Sequence, residues 1–530
     1  MDPVSITSAA VVIALIWTLK RLSIGKRPKG YLSGPPALPI IGNIHQMRAK
    51  NVHLKFLQRA VEYGEIYSLI VGTKTLIVLS SDGAVKDLLD RGKGIYSDRP
   101  EMYIGQELCS DGLRMLMTSY GPRWRMIRDS AEYNRTDSSS SLILKQIRKM
   151  VHNLLNHNIA NKYVPYQMLE NKQMLNDLVE TPDDFLKHVL RYSNAITTFM
   201  VFGWRASTYD DHKIQQLFDG FSEVSEINQT GIAALVDFFH LLRNLPDSIL
   251  TTQKKAKKLH ANERKLYLSH WLRAKKEITD SSIRRCFCVG MAQAQEKEGF
   301  SDAKAAYISV TLLEAWSDTT SKTLYGFIQA MLLYPEVQRR AQAFQVALIG
   351  WMPTTILGGV PHATTSDDIY KGYLIPKGAG VMNNVWAINM DPTRAPIPRK
   401  FDPTRYEKDN LSLYDSTSNP DATKRDHFTF GAGRRICPGI HVAERGLFLG
   451  ISRIPWAFDI NPAENKRGEP IILDQEKLSQ GFVCMPEDFP AQIRPRSLKR
   501  AELVKSEWET AEQALLDPKS KQWISSPLDA

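Results

Sequence analysis

Phe428-Thr429-Phe430-Gly431-Ala432-Gly433-Arg434-Arg435-Ile436-Cys437-Pro438-Gly439 is the stretch on which the reading of this 530-residue chain turns. Gly431 and Gly433 let the backbone turn tightly and approach a flat ligand closely. Arg435 offers a planar, permanently charged fork suited to a carboxylate. Cys437 precedes Pro438-Gly439 and an apolar helical run, Ile440 to Ile451. A thiolate placed there can accept backbone N–H bonds and feels the positive end of the helix. A lone cysteine beside a glycine-rich turn is ordinarily a buried core residue. Phe430, Gly431, Gly433, Arg435, Cys437 and Gly439 together, at this spacing, point instead to a ligating cysteine.

The rest of the composition narrows the setting. Hydrophobic residues make up 43% and charged residues 24%, as in a globular chain with a large core. The formal charge of +11 suits a nucleic acid, an anionic membrane or an acidic protein. With no Cys2His2 spacing, no RNA-binding aromatic signature and no sustained basic helix repeat, nucleic acid is not expected as a partner. The five cysteines, Cys109, Cys286, Cys288, Cys437 and Cys484, are odd in number and scattered. That is not a secreted disulfide framework, so a reduced, cytosol-facing body is expected.

Val4 to Leu19 is apolar apart from Ser5, Thr7, Ser8 and Thr18, and Lys20, Arg21, Lys26, Arg27 and Lys29 follow. This run is slightly shorter than the ~17–25 residues of a spanning helix. A secretory signal would carry its positive charge first; here Asp2 leads and the basic cluster trails. The order predicts an uncleaved membrane anchor with its N-terminus in the lumen, residues 1–29 forming anchor and basic flank. Residues 30–43, with Gly34-Pro35-Pro36-Ala37-Leu38-Pro39, form a stiff proline-rich hinge.

Further on, the pattern is mainly α with a smaller β region. Ile66–Val71 and Thr75–Leu79 flank Gly72-Thr73-Lys74, a hairpin signal. Pro182–Val201 and Ala303–Leu333 show helical spacing, and the latter is apolar on more than one face, as a central buried helix would be. Asp129–Asn161, with the serine tract Ser138–Ser141, reads as a loop or insertion. The body is expected over 44–500, and 501–530 is expected as a polar, helical tail.

At these motifs the chain resembles the cytochrome P-450 superfamily, the haem-thiolate oxygen-activating enzymes. The Cys437 loop is similar to the family's cysteine-ligand loop, and the hinge is similar to that of microsomal members. The resemblance implies a fold with haem between a long central helix and that loop, Cys437 being the axial iron ligand. Trp124-Arg125-Met126-Ile127-Arg128 resembles the W-x-x-x-R helix, which implies that Trp124 and Arg128 hold a haem propionate. His362 and Arg435 are implied as further propionate partners. Ala315-Trp316-Ser317-Asp318-Thr319-Thr320 resembles the oxygen-activation motif A-G-x-D-T-T. It implies that Asp318 and Thr319 deliver protons, with the threonine hydroxyl bonding its i−4 carbonyl. Phe401-Asp402-Pro403-Thr404-Arg405-Tyr406 resembles the meander motif.

The whole pattern is most similar to fungal members of secondary metabolism. It implies a monooxygenase in the endoplasmic reticulum membrane, its body facing the cytosol. An NADPH-cytochrome P-450 reductase would feed it electrons, and its substrate would be a small polyketide or alkaloid. Oxidative coupling, desaturation or rearrangement is the alternative within haem chemistry, and a catalytically impaired, membrane-tethered relative is the alternative outside it. Two departures bear on that choice. Trp316 stands where the family motif has Gly, and its indole is expected to fill the space or distort the helix. The family's Glu-x-x-Arg pair is absent between Gln342 and Pro353, which predicts a buried Arg405 left without its partners. Glu336-Val337-Gln338-Arg339 has the spelling but falls on an earlier segment.

Overall fold

A computed structural model of the chain describes residues 24–47, 50–119, 151–152, 155–229, 231–339, 344–406, 411–479, 481 and 483–525. The apolar run 4–19, Trp124, Arg128 and the serine tract 138–141 lie outside the described residues. Of the insertion expected over 129–161, the described C-terminal end holds a short helix, His157–Lys162, capped by the Asn156 side chain.

The organising elements are helical. Helix α1 (Val52–Tyr63) leads into the hairpin β1 (Ile66–Val71) and β2 (Lys74–Leu79). Val71 pairs with Lys74, so the turn is only Gly72-Thr73, with Gly72 at φ +58°. The strand therefore begins one residue earlier than the sequence pattern placed it. Helices α2 (Val164–Glu180), α3 (Phe185–Phe202), α4 (His212–Gln229) and α5 (Thr251–Thr279) follow. The helix expected from Pro182 begins as a 3-10 turn, Pro182–Asp184, and becomes α-helical at Phe185. It ends at Gly203, whose φ of +77° breaks the helix.

Helix α6 (Asp302–Leu333) is the spine. Ser301 caps it by accepting from the Lys304 N–H, and Asp302 sits at its positive end. It packs against α3, α5 and α8 (Ile440–Ala457), so apolar residues on several faces are all buried. Gly450 of α8 allows a close approach to α6: a Cβ there would stand 2.7 Å from Leu324 Cδ2. Between α6 and α8 in sequence lies the short helix α7 (Phe344–Trp351).

The β structure is small, as expected. β1 and β2 join β6 (Gly380–Asn383) and β3 (His362–Ala363) in one sheet, β2 pairing parallel to β6 and β3 antiparallel to it. Two hairpins complete it, β4 (Asp368–Tyr370) with β5 (Tyr373–Ile375), and β7 (Phe458–Pro462) with β8 (Ala491–Pro495).

The segment after residue 500 corrects the expectation of a separate polar tail. Helix α9 (Leu498–Leu515) buries Val504, Trp508 and Ala511 in the same core as α2 and α3. Trp523 is buried edge-on against Tyr166, ring centroids 4.7 Å apart. Gln522 and Arg205 are joined twice: the Arg205 backbone N–H donates to Gln522 Oε1 at 2.7 Å, and Gln522 Nε2 donates to the Arg205 carbonyl at 2.9 Å.

Candidate active site

The cysteine loop is pinned at both ends. The Cys437 N–H donates to the Phe430 carbonyl at 2.9 Å and the Gly431 N–H to the Phe428 carbonyl at 3.0 Å. Gly433, at φ +61°, lies so close to the preceding structure that a Cβ would stand 1.9 Å from the Leu89 carbonyl oxygen. Its N–H donates to Asp90 Oδ1 at 2.7 Å, and Asp90 is held in turn by Arg425 at 2.6 Å. No residue but glycine fits there. Gly439 then opens α8.

All five cysteines are free, and four are buried; Cys437 alone is partly open. The Gly439 N–H favours its thiolate, as the sequence suggests, but burial outweighs that bond and pushes the thiol above its usual range. Without a metal, Cys437 is a thiol. Coordination itself would have to displace the proton, as a metal ion does for a bound thiol.

Beside the loop is a wall of nitrogen donors. Arg435 spans to the Ser97 carbonyl through Nε and to the Thr118 carbonyl through Nη2, both at 3.0 Å. Arg99 binds the Leu116, Val360 and Pro361 carbonyls at 2.5–3.1 Å. His362 Nδ1 donates to the Tyr96 carbonyl at 2.8 Å, which leaves Nε2 as an acceptor in the neutral ring. Burial first, then the positive charges of Arg99 and Arg435, lower the His362 pKa to about 4. An anionic group brought to this wall would offset both causes. Sequence reading found Arg435 and His362 but missed Arg99, which no local motif marks; only the chain's return through Val360-Pro361 brings it to the wall.

On α6 the expected back-bond is present: Thr319 Oγ1 donates to the Ala315 carbonyl at 2.8 Å. Ala315 is exposed and Thr319 half-buried within a helix that is otherwise largely buried, so this face looks onto open space. Asp318 points elsewhere. It is buried and paired with Lys322 at 2.8 Å, at the edge of a cavity of about 730 Å³ lined also by Leu186, Tyr209, Glu223 and Met485. Burial raises its pKa, while Lys322 pulls the other way. Asp318 and Thr319 are thus neighbours on the helix, yet their side chains bond different partners.

Trp316 fills space, and the helix runs on undistorted from Asp302 to Leu333. A Cβ on Gly439 would stand 3.6 Å from Trp316 Cε3, 3.7 Å from Cζ3 and 3.8 Å from Cys437 Sγ. The indole therefore reaches from α6 to the cysteine loop. It is buried, and its Nε1 has no hydrogen-bond partner.

The expectation of a buried, unpaired Arg405 is overturned. Arg405 is exposed, its Nη2 donating to the Lys400 carbonyl at 3.1 Å, so water solvates the charge. It borders a cavity of about 540 Å³ shared with Trp351, Arg394, Tyr406 and Asp426. Near it, the Arg399 guanidinium donates to the carbonyl of Trp351, the last residue of α7.

A partly open cysteine at the mouth of α8, a glycine-built loop and a wall of two arginines and a histidine stand together, and the chain belongs to the cytochrome P450 family. The family model described as Cytochrome P450 matches residues 32–345 and 354–489, breaking where the Glu-x-x-Arg pair is missing from the sequence. Relatives with closely matching length carry the name cytochrome P450 monooxygenase, and the chain is an enzyme of that kind. They include virE of Hypocrea virens (42% identical; 97% of this chain, 94% of the relative) and fogE of Aspergillus ruber (41%; 99% and 98%). A third is fsoB of Humicola fuscoatra (41%; 99% and 97%). These alignments run over 541–550 positions, more than the 530 residues available, so the relatives carry residues this chain lacks.

The donor set fits haem. Cys437 would ligate the iron, and Arg99, Arg435 and His362 would face the propionates. The Trp316 indole lies close to that loop, against Gly439.

Proposed function

We propose that the chain oxidises a small organic substrate, a secondary metabolite of polyketide or alkaloid type, using O2. Its electrons would come from NADPH through a membrane-bound NADPH-cytochrome P-450 reductase. The observation that carries this reading is that the single open cysteine sits beside the Arg99–Arg435–His362 wall. The names of the fungal relatives support the monooxygenase chemistry. When bound, a thiolate-ligated haem supplies oxygen activation, the electron-rich sulfur favouring O–O cleavage.

The protein's own side chains would divide the remaining work. Cys437 supplies sulfur from a loop that the Asp90–Gly433 bond keeps in place. Arg99 and Arg435 neutralise carboxylates without strong hydration, as guanidinium groups do. Thr319 keeps its hydroxyl on the open face of α6, and Asp318 with Lys322 holds a proton-exchanging pair at the edge of the neighbouring cavity. Attachment to the endoplasmic reticulum through Val4–Leu19, with the body facing the cytosol, completes the proposal. Among the described residues no helix is long and apolar enough to span a membrane.

The test is the carbon monoxide difference spectrum of the reduced full-length protein. It should show a thiolate-type band that Cys437→Ala abolishes and that Cys286→Ala and Cys288→Ala leave in place. Retention of the band in the Cys437 variant would sink the assignment. A second reading, an impaired relative that turns over oxygen poorly, is favoured by the Trp316 indole lying on the cysteine loop. Reductase-dependent NADPH consumption without oxygenated product would select it.

A further inference from the structure

The two arginines of the wall share one strap of backbone. Arg99 Nε donates to the Leu116 carbonyl at 3.1 Å, and Arg435 Nη2 donates to the Thr118 carbonyl at 3.0 Å. Those carbonyls belong to a single 3-10 turn, Met115–Met117, and the residue that follows it. Arg99 and Arg435 are remote in sequence, yet the stretch 114–118 sets both. At its other end the strap is anchored by Arg114, whose side chain runs into the core. There Nη1 donates to Glu314 at 2.6 Å, and Nη2 donates to both oxygens of Glu263 at 2.8 and 2.9 Å. Glu263 stands on α5 and Glu314 on α6. The Arg114 carbonyl accepts from the Met117 N–H at 3.1 Å and from Thr118 Oγ1 at 3.2 Å. Anchor and wall contacts therefore form one hydrogen-bonded unit. Buried, charge-assisted bonds fix geometry as well as energy, so the anchor leaves the strap little freedom.

We propose that Arg114, itself buried in the core, is a positioning residue for the haem wall. Through the strap it sets where Arg99 and Arg435 present their charge to the haem carboxylates. This rests on the haem reading above and extends it from the wall to the cluster behind it. Five N–H donors let one guanidinium be fixed by carbonyls and meet a carboxylate as well. An ion pair with a merely structural role would stabilise the core and leave the charge around the bound group unaltered. A positioning pair governs both.

The test compares full-length holoenzymes: the parent, Arg114→Met/Glu314→Met, Glu314→Gln and Arg99→Ala. Replacing both partners of the pair avoids stranding a buried charge. Glu314→Gln keeps the shape and one acceptor, and it alone decides should the paired replacement fail to fold. Two quantities are read: the rate of haem transfer to excess apomyoglobin, and the reduction potential of the bound haem. The paired replacement should release haem about tenfold faster than the parent, the scale of one charged hydrogen bond. Its potential should fall, as should that of Arg99→Ala, because displaced guanidinium groups no longer favour the reduced form. Glu314→Gln should move both quantities the same way by less. Faster haem loss with the potential unmoved, while Arg99→Ala lowers it, makes Arg114 a structural ion pair and overturns the proposal. Unchanged values in both Glu314 variants overturn it too and leave the monooxygenase reading standing. If Arg99→Ala itself moves neither quantity, the wall does not meet the haem and the proposal falls. A parent whose carbon monoxide complex lacks the thiolate band overturns both proposal and reading.

Discussion

Arg399 and Trp351 are joined in both directions. The guanidinium Nη1 donates to the Trp351 carbonyl at 2.8 Å, and the Trp351 indole Nε1 donates to the Arg399 carbonyl at 2.8 Å. The same guanidinium bonds Glu476 at 2.9 Å and the Gln475 carbonyl at 3.0 Å. It lies 5.2 Å from the Trp351 ring and 4.9 Å from that of Trp386. Where the sequence lacks the Glu-x-x-Arg pair, this cation, clasped by two indoles and two carbonyls, ties α7 to the chain ahead of the meander.

Arg399→Ala should therefore destabilise the protein by about 2–4 kcal/mol, through lost charge-assisted bonds and cation–π contacts. Arg399→Lys should restore only part, since an ammonium cannot reproduce the fork. Arg405→Ala, at an exposed site, should change stability by no more than ~0.5 kcal/mol. Urea denaturation decides, and a larger loss for Arg405→Ala than for Arg399→Ala would contradict the assignment.

A second cluster predicts the pH response. Arg114 is buried between two carboxylates, Glu263 at 2.8 Å and Glu314 at 2.6 Å. The Tyr267 hydroxyl lies 2.9 Å from Glu263 Oε1 and 2.7 Å from Glu314 Oε1. One hydroxyl hydrogen can serve only one of them, so a carboxyl proton serves the other. Burial, opposed by Arg114, raises Glu263 to about 7. Its folded pKa exceeds the unfolded value of 4.5, so the folded state binds more protons between them. The stability this proton confers is present below pH 4.5 and is lost as pH rises through 7. Glu263→Gln should flatten that decline in a pH series of urea midpoints; an unchanged slope would place the proton elsewhere.

Asp318→Asn should lower substrate turnover by about 10²-fold or more if its carboxyl exchanges protons in the reaction. The carbon monoxide spectrum should remain, because Asp318 faces Lys322 and not the cysteine loop. Lys322→Met should instead raise the Asp318 pKa further, moving the pH profile of turnover upward. A profile unmoved by Lys322→Met would deny the pair a part in proton transfer.

Removal of residues 1–30 should shift the protein from alkali-resistant membranes toward the soluble fraction. The effect is measured by carbonate extraction of microsomes. Full retention of the shortened protein would show that Val4–Leu19 is not the anchor.

Legibility in the sequence follows the range of the interactions concerned. The cysteine loop, the hairpin and the long helix could be read because glycine placement, β-rich runs around a turn and helical spacing act over a few residues. The Thr319 back-bond could be read for the same reason, since its donor and acceptor are one turn apart. Arg99 could not: its role arises only when Val360-Pro361 folds over it, and no spacing records that meeting. The polar look of 501–530 misled, because a few side chains, Val504, Trp508 and Ala511 in the helix and Trp523 beyond it, suffice to dock a mostly exposed helix on the core.

The sequence was enough to point to the family, to single out Cys437 and to show the two departures, since each is a matter of which residue stands at which place along the chain. It could not establish what the departures do. Arg405 counts as unpaired in sequence but lies in water, where its charge costs little, and Arg399 carries the bonded network because α7 ends beside it. Trp316 counts as a substitution in sequence but becomes a contact with Gly439 only when α6 and α8 pack together. Burial and distance between remote segments set those energies, and both exist only once the core has formed.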